Sequence, residues 1–106
     1  MSGDAAVQGA VERARDASGV PVVRLIGEID ISNAGTLGAT LDRLIGGETN
    51  ALVVDLAELE FMDSSGIAML LRATARVDTI EVRNPSQVIR RIIECTGLAD
   101  VLRLEP

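Results

Sequence analysis

The residues of this sequence best suited to chemistry are two adjacent serines, Ser64 and Ser65, preceded by Asp63. They follow an apolar run typical of a buried strand and open an amphipathic stretch that predicts a helix over residues 64–77. Asp and Ser side chains accept hydrogen bonds from the unpaired N–H groups of a first helical turn, so this arrangement is typical of a helix cap. A hydroxyl that points away from the core could instead carry a phosphate, because helix N-termini favour anions.

The helical repeat distinguishes the two serines. At about 100° per residue, the core-facing positions of this helix fall on one side; they are Ile67, Leu70, Leu71, Thr74 and Val77. Ser65 projects almost opposite to them, in line with Met69 and Arg72, whereas Ser64 lies at the flank. The pattern thus predicts that Ser64 caps the helix and that Ser65 faces solvent as a candidate phosphorylation site. In an arbitrary protein, Asp-Ser-Ser before a helix is more often only a cap.

The composition excludes several classes of function. With no histidine and a single cysteine, the chain lacks the residues of a His-based triad, a zinc cluster or a structural disulfide. The formal net charge is −6 and Phe61 is the only aromatic residue, so nucleic acid is not an expected partner. The sequence contains no lysine for a phosphate-binding loop or for a receiver domain. We therefore expect a protein that binds other proteins or small ligands, needs no cofactor and is not an enzyme.

Length and hydropathy indicate one domain in the cytoplasm. A chain of 106 residues, 47% of them hydrophobic, suffices for a single aliphatic core. Residues 1–9 are weakly patterned and are predicted to be frayed or disordered, which leaves residues 10–106 as the domain. The N-terminus lacks a signal-peptide pattern, and no apolar run approaches the roughly 20 residues that span a bilayer, so no direct membrane contact is expected. Cys95 lies among apolar residues and is expected to be buried.

The periodicity predicts two strands followed by helix, strand, helix, strand and helix. In order, these are a hairpin of residues 10–17 and 20–26, a helix from Ser32 or Asn33 to Gly46-Gly47, an interior strand at 51–56, a loop from Ala57 to Asp63, the helix at 64–77, a strand at 79–83 and a helix from Ser86 to Gly97. The tail, residues 98–106, has no clear pattern. Right-handed crossovers then give an α/β domain with a mixed sheet of four to five strands, a parallel centre and helices packed against it.

The same topology predicts where a site would form. In parallel sheets, function gathers at the carboxyl ends of the strands. Asp30 follows one predicted strand, and the segment that leads to Ser65 follows another. We therefore expect Asp30 and Ser65 to open onto one surface.

Three segments of the chain resemble the STAS domain family and, within it, the bacterial anti-sigma factor antagonists. Gly-Glu-Ile-Asp at residues 27–30 is similar to a strand end of the family, and residues 54–66, which finish with Asp-Ser-Ser-Gly, are similar to its phosphorylation loop. Thr-Gly-Leu at residues 96–98 is similar to a late family motif. The resemblance covers residues 10–104 and implies a single STAS domain.

The resemblance also implies a function. Ser65, the second serine of Asp-Ser-Ser-Gly, would be phosphorylated by a partner that is both an ATP-dependent serine kinase and an anti-sigma factor. The unphosphorylated chain would bind this partner and free the sigma factor, phosphorylation would release the partner, and a phosphatase would reset the switch. The predicted partner surface comprises Asp30, Asp63, Ser64, Ser65, Met69 and Arg72. The alternative is a soluble regulatory STAS subunit of an ABC-type lipid transport complex, although a complete Asp-Ser-Ser-Gly favours the phosphorylation switch.

Overall fold

The computed structural model describes residues 9–46, 50–98 and 102–104. Its elements in chain order are β1 (Ala10–Arg15), β2 (Pro21–Ile29), α1 (Ala34–Ile45), β3 (Ala51–Asp55), β4 (Leu59–Met62), α2 (Ser64–Ala73), β5 (Thr79–Arg83), α3 (Gln87–Cys95) and β6 (Arg103–Leu104). None of the helices in these ranges is long and apolar enough to cross a bilayer. Gly47 and residues 1–8 of the predicted frayed start lie outside the described residues.

The sheet confirms the predicted mixed architecture. Its strand order is β1-β2-β3-β5-β6. The short strand β4 is not part of this order and pairs with β2. The hairpin is antiparallel, with Arg15 opposite Pro21, which is the first residue of its strand and so needs no ladder hydrogen bond. The strands β2, β3, β5 and β6 run parallel. The tail that had no clear pattern contributes β6, a short strand at the edge of this parallel group.

One aliphatic cluster joins all three helices to the same face of the sheet. Alternate residues of the central strands point into it: Val23, Leu25, Leu52, Val54, Ile80 and Val82. The helices contribute Leu37 and Leu41 from α1, Ile67 and Leu70 from α2, and Ile89 and Ile93 from α3. Val22 and Val53, which alternate with the core-facing positions, lie outside the cluster. The predicted aliphatic core is confirmed, and it lies between one helical layer and one sheet.

The predicted loop from Ala57 to Asp63 is wrong, because it contains β4. The strand β3 pairs with β2 only as far as Arg24, so the last three residues of β2, 27–29, are free to pair with another strand. Gly27 has φ +80, and the register with β4 shifts just after it. The far end of β2 thus pairs with the segment that leads into α2.

Two further expectations fail locally. The helix α2 ends at Ala73 rather than Val77, because the N–H groups of Ala75 and Arg76 bond only three residues back, to the oxygens of Arg72 at 3.2 Å and Ala73 at 3.0 Å. Cys95 is exposed rather than buried. It lies two residues after the buried Ile93. Two residues correspond to about 200° round the helix axis, so Cys95 points away from the core.

Candidate functional site

The adjacent ends of β2 and β4 bring two aspartates to one edge of the sheet. These strands are parallel, with Ile29 opposite Met62. The backbone N–H of Asp63 donates to the oxygen of Ile29 at 3.1 Å. Asp30 and Asp63 therefore begin neighbouring turns, one leading into α1 and the other into α2. This geometry supports the expectation that Asp30 and Ser65 open onto one surface.

Asp63, not Ser64, caps α2. Its carboxylate oxygen Oδ1 accepts the N–H of Ser65 at 2.8 Å. Its backbone oxygen accepts the N–H groups of Gly66 at 3.1 Å and Ile67 at 3.2 Å. Of the four N–H groups that a first helical turn leaves for capping, those of Ser65 and Gly66 are thus bonded to Asp63, and that of Asp63 is bonded to Ile29. An anion at this helix start would meet few unpaired amides.

Both serine hydroxyls are free of hydrogen bonds to any other residue that the structure describes. Ser64 is exposed and Ser65 is half-buried. Ser65 is therefore more covered, and Ser64 more exposed, than the helical repeat predicts. Solvent exposure therefore does not favour Ser65 over Ser64 as the candidate phosphorylation site. The two serines differ in their backbone contacts, because the Asp63 carboxylate accepts the N–H of Ser65.

The structure contradicts the exposed position predicted for Met69. Met69 is 2% exposed and belongs to the core, whereas Leu71, predicted to face the core, is 47% exposed. The reason is that α2 packs against α1 as well as against the sheet. A Cβ atom built on Gly38 of α1 would lie only 3.4 Å from Cγ of Met69. The neighbouring helix thus covers the flank that was expected to meet a partner, while Arg72 is exposed as predicted.

The turn that follows β2 is closed by its own side chains. The carboxylate oxygen Oδ1 of Asp30 accepts the N–H of Ser32 at 2.9 Å and also the hydroxyl of Ser32. Asn33 accepts the N–H of Asp30 at 2.9 Å and donates from Nδ2 to the oxygen of Glu28 at 2.9 Å. Asn33 stands at the N-cap position of α1 but braces this turn instead of capping the helix. The hydrogen bonds from Ser32 lower the pKa of Asp30.

Three exposed apolar residues on the segments that lead to and from these turns were not predicted as site residues: Ile31, Phe61 and Leu71. The sequence pattern did not mark Phe61, because β4 was interpreted as a loop. Leu71 was assigned to the wrong side of α2. Ile31 continues the alternation of apolar residues that runs through Ile29, so the sequence pattern places it in a strand. In the structure it lies beyond the end of β2, in the turn that Asp30 and Ser32 close.

Known proteins share the fold of this chain. Residues 12–104 match the family described as Mlab, STAS domain. The anti-sigma-F factor antagonist RsfB of Mycobacterium tuberculosis is 32% identical over 92 residues, which cover 84% of this chain and 75% of RsfB. The crystal structure of an anti-sigma factor antagonist from Mycobacterium paratuberculosis is 31% identical, with a TM-score of 0.74 over 100% of this chain and 91% of that one.

A further relative has been solved in two forms. The anti-sigma factor antagonist SpoIIAA in its unphosphorylated form is 25% identical, with a TM-score of 0.65 over 92% of this chain and 89% of SpoIIAA. The Bacillus cell fate determinant SpoIIAA in the phosphorylated form is also 25% identical, with a TM-score of 0.59 over 92% of each chain. Both forms of SpoIIAA therefore have the same overall fold as this chain.

Proposed function

Because the chain belongs to the STAS domain family, we propose that it is an anti-sigma factor antagonist that acts as a phosphorylation switch. The unphosphorylated chain binds an anti-sigma factor that is also a serine kinase, and this binding frees the sigma factor. Phosphorylation of Ser65 releases the partner, and a phosphatase restores the binding form. Anti-sigma factor antagonists regulate by binding and are not enzymes, so we assign the chain no catalytic activity.

One observation carries this proposal: α2 starts with an immobilised serine whose hydroxyl is free. The carboxylate of Asp63 holds the N–H of Ser65 at 2.8 Å, while the hydroxyl of Ser65 bonds to no other described residue. A kinase gains from such a substrate, because the backbone is already ordered and no hydrogen bond has to break before transfer. The two forms of SpoIIAA and the antagonist names of the relatives support the same function.

The partner surface that we propose is a corrected version of the predicted one. Asp30, Asp63, Ser64 and Ser65 remain in it, and so does the exposed Arg72. Met69 is excluded from it because it is buried between α2 and α1.

We propose that phosphorylation acts locally. Phosphoserine carries roughly −1.5 to −2 charges at pH 7. In the free protein, water hydrates the phosphate, and the nearby carboxylates of Asp30 and Asp63 oppose the modest attraction of the helix start. Against a partner surface shaped for a hydroxyl, the same charge would be stripped of water, which costs several kcal/mol. Binding is therefore lost while the domain stays folded.

A kinase reaction followed by mass spectrometry tests this function. The chain should be incubated with each purified kinase-type anti-sigma factor of the source organism and Mg-ATP, and the phosphate mapped. We expect one phosphate on Ser65, no labelling of Ser65→Ala and full labelling of Ser64→Ala. The Ser64 variant should also keep its stability, because Asp63 supplies the cap.

Two results would contradict the proposal. A phosphate on Ser64 would move the switch to the more exposed hydroxyl. Absence of labelling, combined with capture of a transporter ATPase by the unmodified chain, would favour the regulatory subunit of an ABC-type lipid transport complex.

A further inference from the structure

The carboxyl end of β2 extends past the strand that pairs with one of its edges. The hairpin partner β1 begins at Ala10, which lies opposite Ile26, so β1 does not reach the last residues of β2. Backbone groups of alternate residues in a strand point to the same edge. The carbonyl oxygen of Glu28 and the N–H of Asp30 therefore face the edge that β1 does not reach, and the groups of Ile29 face β4.

The side chain of Asn33 takes the place of a strand on that edge. Its Nδ2 donates to the oxygen of Glu28 at 2.9 Å, and its Oδ1 accepts the N–H of Asp30 at 2.9 Å. A carboxamide offers one donor and one acceptor side by side, as a backbone peptide group does. Asparagine is a favoured N-cap residue, yet here the side chain makes no cap bond to α1. It is committed to β2 instead.

Gly9 packs closely against this pair of hydrogen bonds. A Cβ atom built on Gly9 would lie 2.6 Å from the oxygen of Glu28 and 3.0 Å from Nδ2 of Asn33. One of these atoms is backbone, and the other is held by the bonds that Asn33 makes. The carboxamide therefore lies in a confined space, where a side chain of another shape would not make the same two bonds.

The opposite edge of the same strand end leads to Ser65. The oxygen of Ile29 accepts the N–H of Asp63 at 3.1 Å, and the Asp63 carboxylate accepts the N–H of Ser65 at 2.8 Å. The hydroxyl of Ser65 bonds to no other described residue, so these backbone contacts fix its position. Asn33 holds the residues on both sides of Ile29, and a shift of Ile29 would move Asp63 and Ser65 with it.

We infer that Asn33 is a positioning residue for the phosphorylation of Ser65. The inference rests on the proposed function. Phosphoryl transfer requires the hydroxyl to lie in line with the leaving group, and a misplacement of about 1 Å lowers the rate by up to about a hundredfold. The same side chain holds the N–H of Asp30, so it also fixes Asp30 relative to Ser65 on the proposed partner surface.

Steady-state kinetics with matched variants test this role. Serine and aspartate are both favoured N-cap residues, so Asn33→Ser and Asn33→Asp leave α1 with a suitable cap. The serine is too short to bridge Glu28 and Asp30, and the aspartate keeps the shape of the side chain but loses the donor to Glu28. Ser86→Ala is the control, because it removes a side-chain bond at the start of α3, from the N–H of Ile89 to Oγ at 3.1 Å.

The substrate variants should be compared with wild type in reactions with the kinase-type anti-sigma factor that phosphorylates Ser65. We expect kcat to fall at least about tenfold for both Asn33 variants while KM stays within about threefold of wild type, because the hydroxyl is misplaced within a complex that still forms. The control should keep both constants within about twofold of wild type.

Amide hydrogen exchange measured by NMR gives a readout that does not depend on the kinase. In both Asn33 variants the N–H groups of Asp63 and Ser65 should exchange at least about fivefold faster than in wild type. The amides of β3 and β5 should exchange at the wild-type rate, because a local loosening does not require global unfolding.

The outcomes separate this inference from the proposed function. Wild-type kcat for Asn33→Ser, or an unchanged exchange rate at Asp63, would overturn the role of Asn33 and leave the phosphorylation of Ser65 intact. An equal fall in kcat for Ser86→Ala would assign the effect to general stability and would also overturn the inference. A wild-type chain that no kinase-type anti-sigma factor phosphorylates would overturn the proposed function and this inference together.

Discussion

Two turns with the same Asp-x-Ser spacing lie side by side, at residues 30–32 and 63–65, and they treat their serines differently. In both, the aspartate oxygen Oδ1 accepts the backbone N–H of the serine, at 2.9 Å for Ser32 and 2.8 Å for Ser65. The hydroxyl of Ser32 also donates to Asp30, whereas the hydroxyl of Ser65 bonds to no other described residue. The first turn uses its serine for structure, and the second holds its serine in place with the hydroxyl available.

The shared spacing positions both serines in the same way, but the neighbouring residues decide what each serine can do. In the first turn, Asn33 ties the chain to Glu28 and to the N–H of Asp30, so the side chains of Asp30, Ser32 and Asn33 all bond within the chain. In the second turn, Asp63 accepts the N–H groups of Ser65, Gly66 and Ile67 and donates its own N–H to Ile29, and neither serine hydroxyl takes part. The turn at residues 30–32 is therefore structural, and in the proposed function the turn at residues 63–65 is the substrate of the kinase.

If α2 were loosely packed, the free hydroxyl of Ser65 would not distinguish the two turns. We expect α2 to be closely packed, because Met69 is almost fully buried against α1. Met69→Ala should therefore lower the free energy of unfolding by about 2–5 kcal/mol. Leu71→Ala, on the exposed side, should lower it by less than about 1 kcal/mol. Urea denaturation measures both, and equal effects would show that the two sides of α2 are not distinguished as the structure describes.

Two glycines near the starts of α2 and α1 differ in how closely they are packed. A Cβ atom on Gly66 would lie 2.2 Å from Cγ of Met62 and 3.2 Å from Cγ2 of Ile29, whereas one on Gly35 would meet nothing within 4 Å. Gly66→Ala should cost about 1–3 kcal/mol through overpacking. Gly35→Ala should raise stability by about 1 kcal/mol, since alanine is the better helix former. Thermal melting that ranks Gly66→Ala above wild type would contradict the close packing of α2 on β4.

The smallest expected effect is on the pKa of Asp30 and on the stability of the domain at low pH. The hydrogen bonds from Ser32 hold the pKa of Asp30 below its ordinary value of 3.8. The folded-state pKa is depressed, so the stabilisation is present above the unfolded-state value and is lost as the pH falls through the lower folded-state value. Ser32→Ala should raise the pKa of Asp30 and reduce the loss of stability at low pH, whereas Ser65→Ala should leave the pKa of Asp30 unchanged. Titration of the Asp30 carboxyl signal by NMR compares the two, and equal shifts would remove the distinction between the turns.

The order of elements was predictable because its signals are local. Ser18-Gly19 marks the hairpin turn, and Ser86 marks the start of α3, where its hydroxyl accepts the N–H of Ile89 at 3.1 Å. The nearness of Asp30 to the start of α2 also followed from sequence, because parallel strands end at one edge. Local patterns therefore give the succession of elements and the location of the candidate site.

What could not be predicted depends on pairing and packing between distant segments. The strand β4 exists because the end of β2 lacks another partner there, and nothing within residues 59–62 reveals this. The burial of Met69 depends on α1, which a helical projection of α2 does not include. The exposure of Phe61 follows from β4 and was missed with it. The role of Ser65 stays a prediction from resemblance, supported by the free hydroxyl.

The most direct measurement of the switch is the affinity of the chain for its anti-sigma factor before and after stoichiometric phosphorylation, with the melting temperature recorded for both forms. We expect phosphorylation of Ser65 to weaken binding by at least about a hundredfold, because an unpaired charge is buried at a cost of several kcal/mol. We expect the melting temperature to change by no more than about 2 °C, which for a domain of this size corresponds to less than about 1 kcal/mol. Unchanged affinity would contradict the switch, and a large melting shift would contradict its local mechanism.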